Sequence, residues 1–322
     1  MHRTAARRPF ARRRLLGAGA TAAAGVLLPA ARAAAAPASW PTRFPLPDDF
    51  RPEGIAIGPG PWAWFGSRAG SSLYRAHLPT GRGTLLPTRM DGPSLGIKTD
   101  RHGRAFVAGA FARQLRVVDT RDGALLASYE VGGPGTLIND VVLTPGAAWF
   151  TDSTKPYVYG VPLGPRGELP PAREVVALRL AGEWREAPDG GFTSNGISVT
   201  PDGRALLVVN VFQDGGSLLR VDPRTGDARR VDLGGHRLPD GDGALLAGRT
   251  LYVVQQVQNA VDVFHLDAAG LRGVWVTRIT DPRFRIPTTV AAYGDRLYLP
   301  NSRFTEEPPP REYDVVAVRR VR

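Results

Sequence analysis

The chain has 322 residues and a formal net charge of +11, but the seven arginines of Met1–Ala36, a stretch without acids, account for most of it and leave +4 over the rest. That remainder is an ordinary surface charge and excludes an electrostatic footprint for nucleic acid. There is no cysteine, and the five histidines (His2, His77, His102, His236, His265) form no close pair, which excludes disulfides, thiolate nucleophiles and a metal centre built on several imidazoles.

In chain order the first element is a leader. Arg12-Arg13-Arg14-Leu15-Leu16 precedes a mildly apolar stretch from Gly17 to Leu28, and Ala31-Arg32-Ala33 then opens a run of alanines. A charged region, an apolar region and a small-residue exit in that order predict an export signal over residues 1–36. The paired arginines match the twin-arginine form, although Ala11 stands where Ser or Thr is usual. The mature chain is expected to begin between Ala34 and Pro37, to be periplasmic or extracellular, and to need no oxidative folding. No later segment is long and apolar enough to span a membrane.

Beyond the leader, one pattern recurs six times: a short apolar strand, a turn of Gly, Pro and Asp, and a second strand with aromatics. The copies begin at Pro52, Leu95, Asn139, Asn195, Asp240 and Pro287. Aligning their turns places Glu53, Leu95, Asn139, Asn195, Asp240 and Pro287 at one equivalent position, with steps of 42, 44, 56, 45 and 47 residues. A period of about 40–50 residues with several strands per unit predicts an all-β, six-bladed β-propeller of four-stranded antiparallel blades over residues 37–322. The sixth copy lacks an outermost strand, and Pro41–Leu46 is expected to supply it and close the ring. The long third step falls between Gly164 and Ser194; this segment either overhangs the channel mouth or extends a distant hairpin. Phe304–Glu312 reads as an exposed loop, and Trp62, Trp64 and Trp149 as blade core.

The first strand of every propeller blade lines the central channel, so equivalent positions at its entrance form a ring. Four of the six members carry oxygen: Glu53, Asn139, Asn195 and Asp240. Two carboxylates and two amides around an axis suit a hard divalent cation, Ca²⁺ foremost, with Mg²⁺, Mn²⁺ or Zn²⁺ as alternatives. Taken singly, Asn and Asp are also ordinary turn residues, and Asn195-Gly196 and Asp240-Gly241 are turn-like pairs. Asp140, Asp152, Asp242, Ser194 and Asn301 lie near strand ends and read as supporting or turn residues.

These motifs resemble those of the regucalcin and gluconolactonase-like group, the senescence marker proteins, over almost the whole mature chain. The resemblance rests on Glu53 in PEG, Asn139 in INDVVLTPGAAWFTD, Asn195 in SNGISVTPDGR and Asp240 in LPDG. It implies a six-bladed metal-dependent propeller in which Glu53, Asn195 and Asp240 hold the cation, Asn139 lies beside it toward substrate, and Asp240 is the general base. It also implies a hydrolase acting on a lactone or related ester. Two features depart from the pattern. Leu137 stands where sugar-lactone enzymes of the group often have an arginine, and the first motif is PEGIAIGPG. The second reading is therefore a non-catalytic, metal-stabilised propeller that binds a ligand or protein on its top face. Either way the expected partner is a small molecule or ligand, with no nucleic acid, no membrane once the leader is removed, and a monomeric state.

Overall fold

The computed structural model describes residues 40–88 and 90–321, and the expected leader and its cleavage zone lie outside them. Six antiparallel sheets stand in a ring, and each repeat of the sequence supplies one. The inner strands are Pro52–Ile57, Ile97–Thr99, Ile138–Thr144, Ser194–Val199, Gly241–Ala247 and Ala291–Tyr293. Each is followed outward by the next strands of its blade, as in Trp62–Ser67, Leu73–His77 and Arg82–Leu86 of the first. The sequence-predicted strands all form, with boundaries within a few residues.

Blade sheets are buried on both faces, which is why their middle strands read as continuous apolar runs and not as alternation. Ala147–Asp152 is buried at every position, whereas the outer strand Leu125–Glu130 is mostly exposed. The core consists of six apolar clusters, each between two neighbouring blades. No blade can bury both faces alone, so ring closure is a condition of stability.

Closure uses the expected joint. Arg43–Pro45 pairs antiparallel with the last strand, Asp314–Arg319, as the outermost strand of blade six. Phe44 and Leu46 are buried between blades six and one, against Phe65, Tyr298 and Val315. At the surface, Arg43 Nε donates to Asp314 at 2.6 Å, and Trp40 stacks on Tyr293 with centroids 5.4 Å apart. These contacts join residues more than 250 apart in sequence, so each closes a loop comprising the entire propeller.

The long segment between blades three and four does two things. Val176–Arg179 completes blade three, and Ala181–Gly182 then adds in parallel to the outer strand of blade four. Trp184 is buried with Leu180 in the cluster between those blades. After a short 3₁₀ turn at Pro188–Gly190, the chain returns to the channel mouth at Phe192. Both expectations for this segment therefore describe part of it. One tryptophan departs from its expected place. Trp64 and Trp149 are core, but Trp62 is exposed, covered by Arg75 and lying against His77, because it opens its strand at the sheet margin. Among the described residues, no helix is long and apolar enough to cross a membrane.

Phe44→Ala should cost about 3–5 kcal/mol by leaving a cavity in the closing joint. A thermal melt checks this: the midpoint should fall by roughly ten degrees. An unchanged midpoint would mean that the N-terminal strand does not close the ring.

Candidate metal centre

The strand registers fix which residues share the ring. In blade one Pro52 pairs with Ser67 and, after a bulge, Ile55 with Phe65. The same shift follows Ile138, Ser194 and Gly241, and Pro287 bridges Asn301 in blade six. The residue after each of these anchors is the ring member: Glu53, Asn139, Asn195, Asp242 and Thr288, with Leu95 from blade two. Two positions differ from the sequence alignment. Thr288 takes the place expected of Pro287, and Asp242 the place expected of Asp240. Asp240-Gly241-Asp242 offers two carboxylates with the period of a strand, so turn alignment alone cannot choose between them.

Asp240 precedes the strand and does not line the cavity. Its carboxylate accepts a hydrogen bond from Gln258 Nε2 at 2.9 Å, and its backbone carbonyl caps Gln256. Asp242, and not Asp240, is the carboxylate of this strand that lines the cavity. Glu53, Asn139 and Asn195 stand where the sequence put them.

These four side chains form the floor of a cavity of about 470 Å³ at one end of the channel. Leu95, Leu137 and Ala110 make an apolar wall, Phe111, Phe192 and Phe304 the mouth, and Arg68, Gln256 and Thr288 the remaining polar lining. Neighbouring blades bond to one another around the floor. Gly96 N–H donates to Asn139 O at 2.8 Å, and Gly243 N–H to Thr288 O at 2.8 Å. Thr151 Oγ1 donates to Asn195 O at 2.8 Å and Thr288 Oγ1 to Glu53 O at 2.7 Å. With these backbone groups engaged, the ring side chains are left to face the axis.

What they lack is partners. Glu53 Oε2, Asn139 Oδ1 and Asn195 Oδ1 are buried without a hydrogen bond, and Gln256 Oε1 beside them is in the same state. Asn139 is oriented by its amide nitrogen, which donates to Ser153 Oγ at 2.8 Å and leaves its oxygen bare. A buried acceptor without a donor costs about 1–3 kcal/mol, and such groups in a native fold call for an ion or water.

The carboxylates point the same way. Burial, then the charge of Asp140, pushes Glu53 up to about 8, while Arg68 and Lys98 oppose the shift. Burial also raises Asp242 well above the usual range, reinforced by Glu53 and Asp140. Asp140 lies one residue beyond the ring, accepts from the N–H of Val141 and of Ile197, and sits 3.8 Å from Lys98 Nζ. Among the described residues, no group of three or more His, Cys, Asp or Glu side chains is arranged to hold a metal. The set here is different in kind: two carboxylates and two amide oxygens, the donor chemistry of a hard divalent cation. The orphaned oxygens and the repelling acids fit such a cation, which Glu53, Asn195 and Asp242 would hold with Asn139 beside them.

The chain matches no protein-family model, and no curated protein matches it significantly in sequence. Solved structures do resemble it. The calcium-binding protein regucalcin from Agrobacterium tumefaciens superposes with a TM-score of 0.61 at 20% identity, covering 86% of this chain and 93% of that one. The allergen Mala s 1 of Malassezia sympodialis gives 0.66 at 13% identity over 87% and 96% of the two chains. A luciferin-regenerating enzyme gives 0.59 at 15% identity over 86% and 93%. At these identities the likeness shows a shared regucalcin-like propeller fold.

A raised Glu53 means that the folded, metal-free protein binds a proton that the unfolded chain releases near pH 4.5. Its contribution is intact below that value and is lost as the pH rises toward about 8. In chelator, the melting midpoint should therefore fall across this window, and Glu53→Gln should flatten the fall. Saturating Ca²⁺ at pH 8 should restore several degrees. Melts at a series of pH values, with and without Ca²⁺, check this; a midpoint that rises with pH in chelator would contradict it.

Proposed function

We infer that this chain is a divalent-cation-dependent hydrolase of a lactone or related ester, with calcium the cation best suited to its oxygen donors. The observation that carries the reading is the convergence of orphaned oxygens from Glu53, Asn139 and Asn195, with Asp242, on one open cavity. Glu53, Asn195 and Asp242 would hold the cation. A bound divalent cation supplies positive charge to the carbonyl oxygen of the substrate and to the oxyanion that develops there.

The chain's own residues do the rest. Asn139 Oδ1, fixed by Ser153, is poised to orient a water or a substrate hydroxyl at the floor. Asp242 takes a proton from the attacking water through its carboxylate. Water adds to the carbonyl carbon, the acyl C–O bond breaks, and the proton passes to the leaving alkoxide, giving a carboxylic acid and an alcohol. The apolar wall of Leu95, Leu137 and Ala110 limits competing water. Leu137 stands where an arginine would serve a sugar lactone, which argues for a substrate other than a sugar lactone. It equally supports the second reading, a propeller that binds a ligand without turning it over. The succession of paired arginines, apolar stretch and small-residue exit in the sequence of residues 1–36 supports export by the twin-arginine route.

A panel of γ- and δ-lactones and aryl esters, assayed with Ca²⁺ and with chelator, tests the reading. Hydrolysis should require the cation. Asp242→Asn should lower kcat by at least about 100-fold, and excess Ca²⁺ should not rescue it. Glu53→Gln should lose affinity for the cation and regain activity when Ca²⁺ is raised. Equal rescue of both variants would remove Asp242 from the proton transfer. Calcium binding without turnover of any panel member would leave the ligand-binding reading in place.

A further inference from the structure

The wall of the cavity contains a cation that the proposed hydrolysis does not use. Arg68 is half-buried beside the floor, and its Nε is buried without a partner. Among the described residues its guanidinium makes no ion pair, and its Cζ lies 5.0 Å from the centroid of Phe304. Burial lowers its pKa, opposed first by the charge of Glu53; a guanidinium nevertheless stays protonated in proteins. Phe304 belongs to the segment expected from sequence to be an exposed loop. It turns inward instead, held by Arg303, which bonds to both Glu306 and the carbonyl of Glu312.

The charges around the floor explain why Arg68 is free. Lys98 pairs with Asp140. A divalent cation at the ring would balance Glu53 and Asp242. The guanidinium of Arg68 is then the one uncompensated charge lining the cavity. Around it the mouth is aromatic: Phe111 and Phe192, 63% and 57% exposed, line the same cavity as Phe304 and offer a ligand apolar surface.

We propose that the substrate of this site is an aromatic lactone or ester bearing a second, free carboxylate, which Arg68 binds while Phe304, Phe111 and Phe192 hold the ring. A planar guanidinium already stacked on one aromatic face recognises a carboxylate in two-pronged fashion. The ester group then reaches the floor. This rests on the cation reading above, in which the ion at the floor draws the ester group and balances Glu53 and Asp242.

The test uses non-hydrolysable probes and measures binding. 3-Phenylpropionate, its neutral amide 3-phenylpropionamide, and propionate are titrated calorimetrically into the Ca²⁺-loaded protein, after a separate Ca²⁺ titration. With Ca²⁺ bound, 3-phenylpropionate should bind at least about tenfold tighter than the amide or propionate. Arg68→Gln should cost the acid at least about tenfold and leave the amide unchanged, Arg68→Lys, which keeps the charge but not the planar fork, should keep only part of the preference, and Phe304→Ala should weaken both aromatic probes. The acid–amide comparison in the wild-type protein needs no variant to fold. Equal affinities there would overturn the proposal while Ca²⁺ binding stands. An acid preference that survives Arg68→Gln would place the carboxylate on the cation and also overturn it. Failure of the protein to bind Ca²⁺ at all would overturn the cation reading and this proposal with it.

Discussion

Everything at the channel mouth depends on how closely the six inner strands approach one another. Directly after the ring residue, four blades have glycine: Gly54, Gly96, Gly196 and Gly243. A methyl group added at Gly96 would lie 2.5 Å from Asp140 Cα, and one at each of the others would collide with the next blade at Leu95, Asp242 or Thr289. The glycines let neighbouring backbones meet, and the preceding residue is thereby turned toward the axis. A ring of side chains from six separate blades, remote in sequence, becomes a single site through that approach.

The approach has an electrostatic cost. Glu53, Asp140 and Asp242 are brought together in a buried space where like charges cannot all ionise freely. Lys98 compensates one of them from below. The other two are held toward their protonated forms and, with the bare amide oxygens of Asn139 and Asn195, remain as unused acceptors. A fold optimised only for stability would replace such groups with apolar ones. Their presence at the floor of an open cavity, and not within the six apolar interfaces, is what separates a site from a packing defect.

The sequence made the architecture legible because the repeat is carried by turn chemistry. Pro, Asp and Gly recur at fixed offsets from apolar strands, and those offsets survive in the strand boundaries. Arg43–Pro45 could be assigned to the last blade because that blade was one strand short. Glu53, Asn139 and Asn195 were legible as ring members for the same reason. Asp242 was not, because register in an inner strand is set by a bulge, and the Asp-Gly-Asp repeat presents equivalent carboxylates two residues apart. Pro287 against Thr288 is the same ambiguity by one residue. Arg68, Phe192 and Phe304 were illegible for another reason: they come from loops and strand ends whose direction depends on contacts with other blades. Only the motif-less insertion length hinted that the segment before Asn195 reaches the mouth.

The central claim is that oxygens of Glu53, Asn195 and Asp242 meet at one cation. Crystals of the mature chain grown with Ca²⁺, and again with Mn²⁺ for its stronger anomalous signal, test it most directly. One anomalous peak is expected at the channel floor, with these three side chains within about 2.3–2.6 Å of Ca²⁺ and Asn139 beside it. A peak held by Asp240, or a floor filled by water alone at saturating cation, would contradict the account.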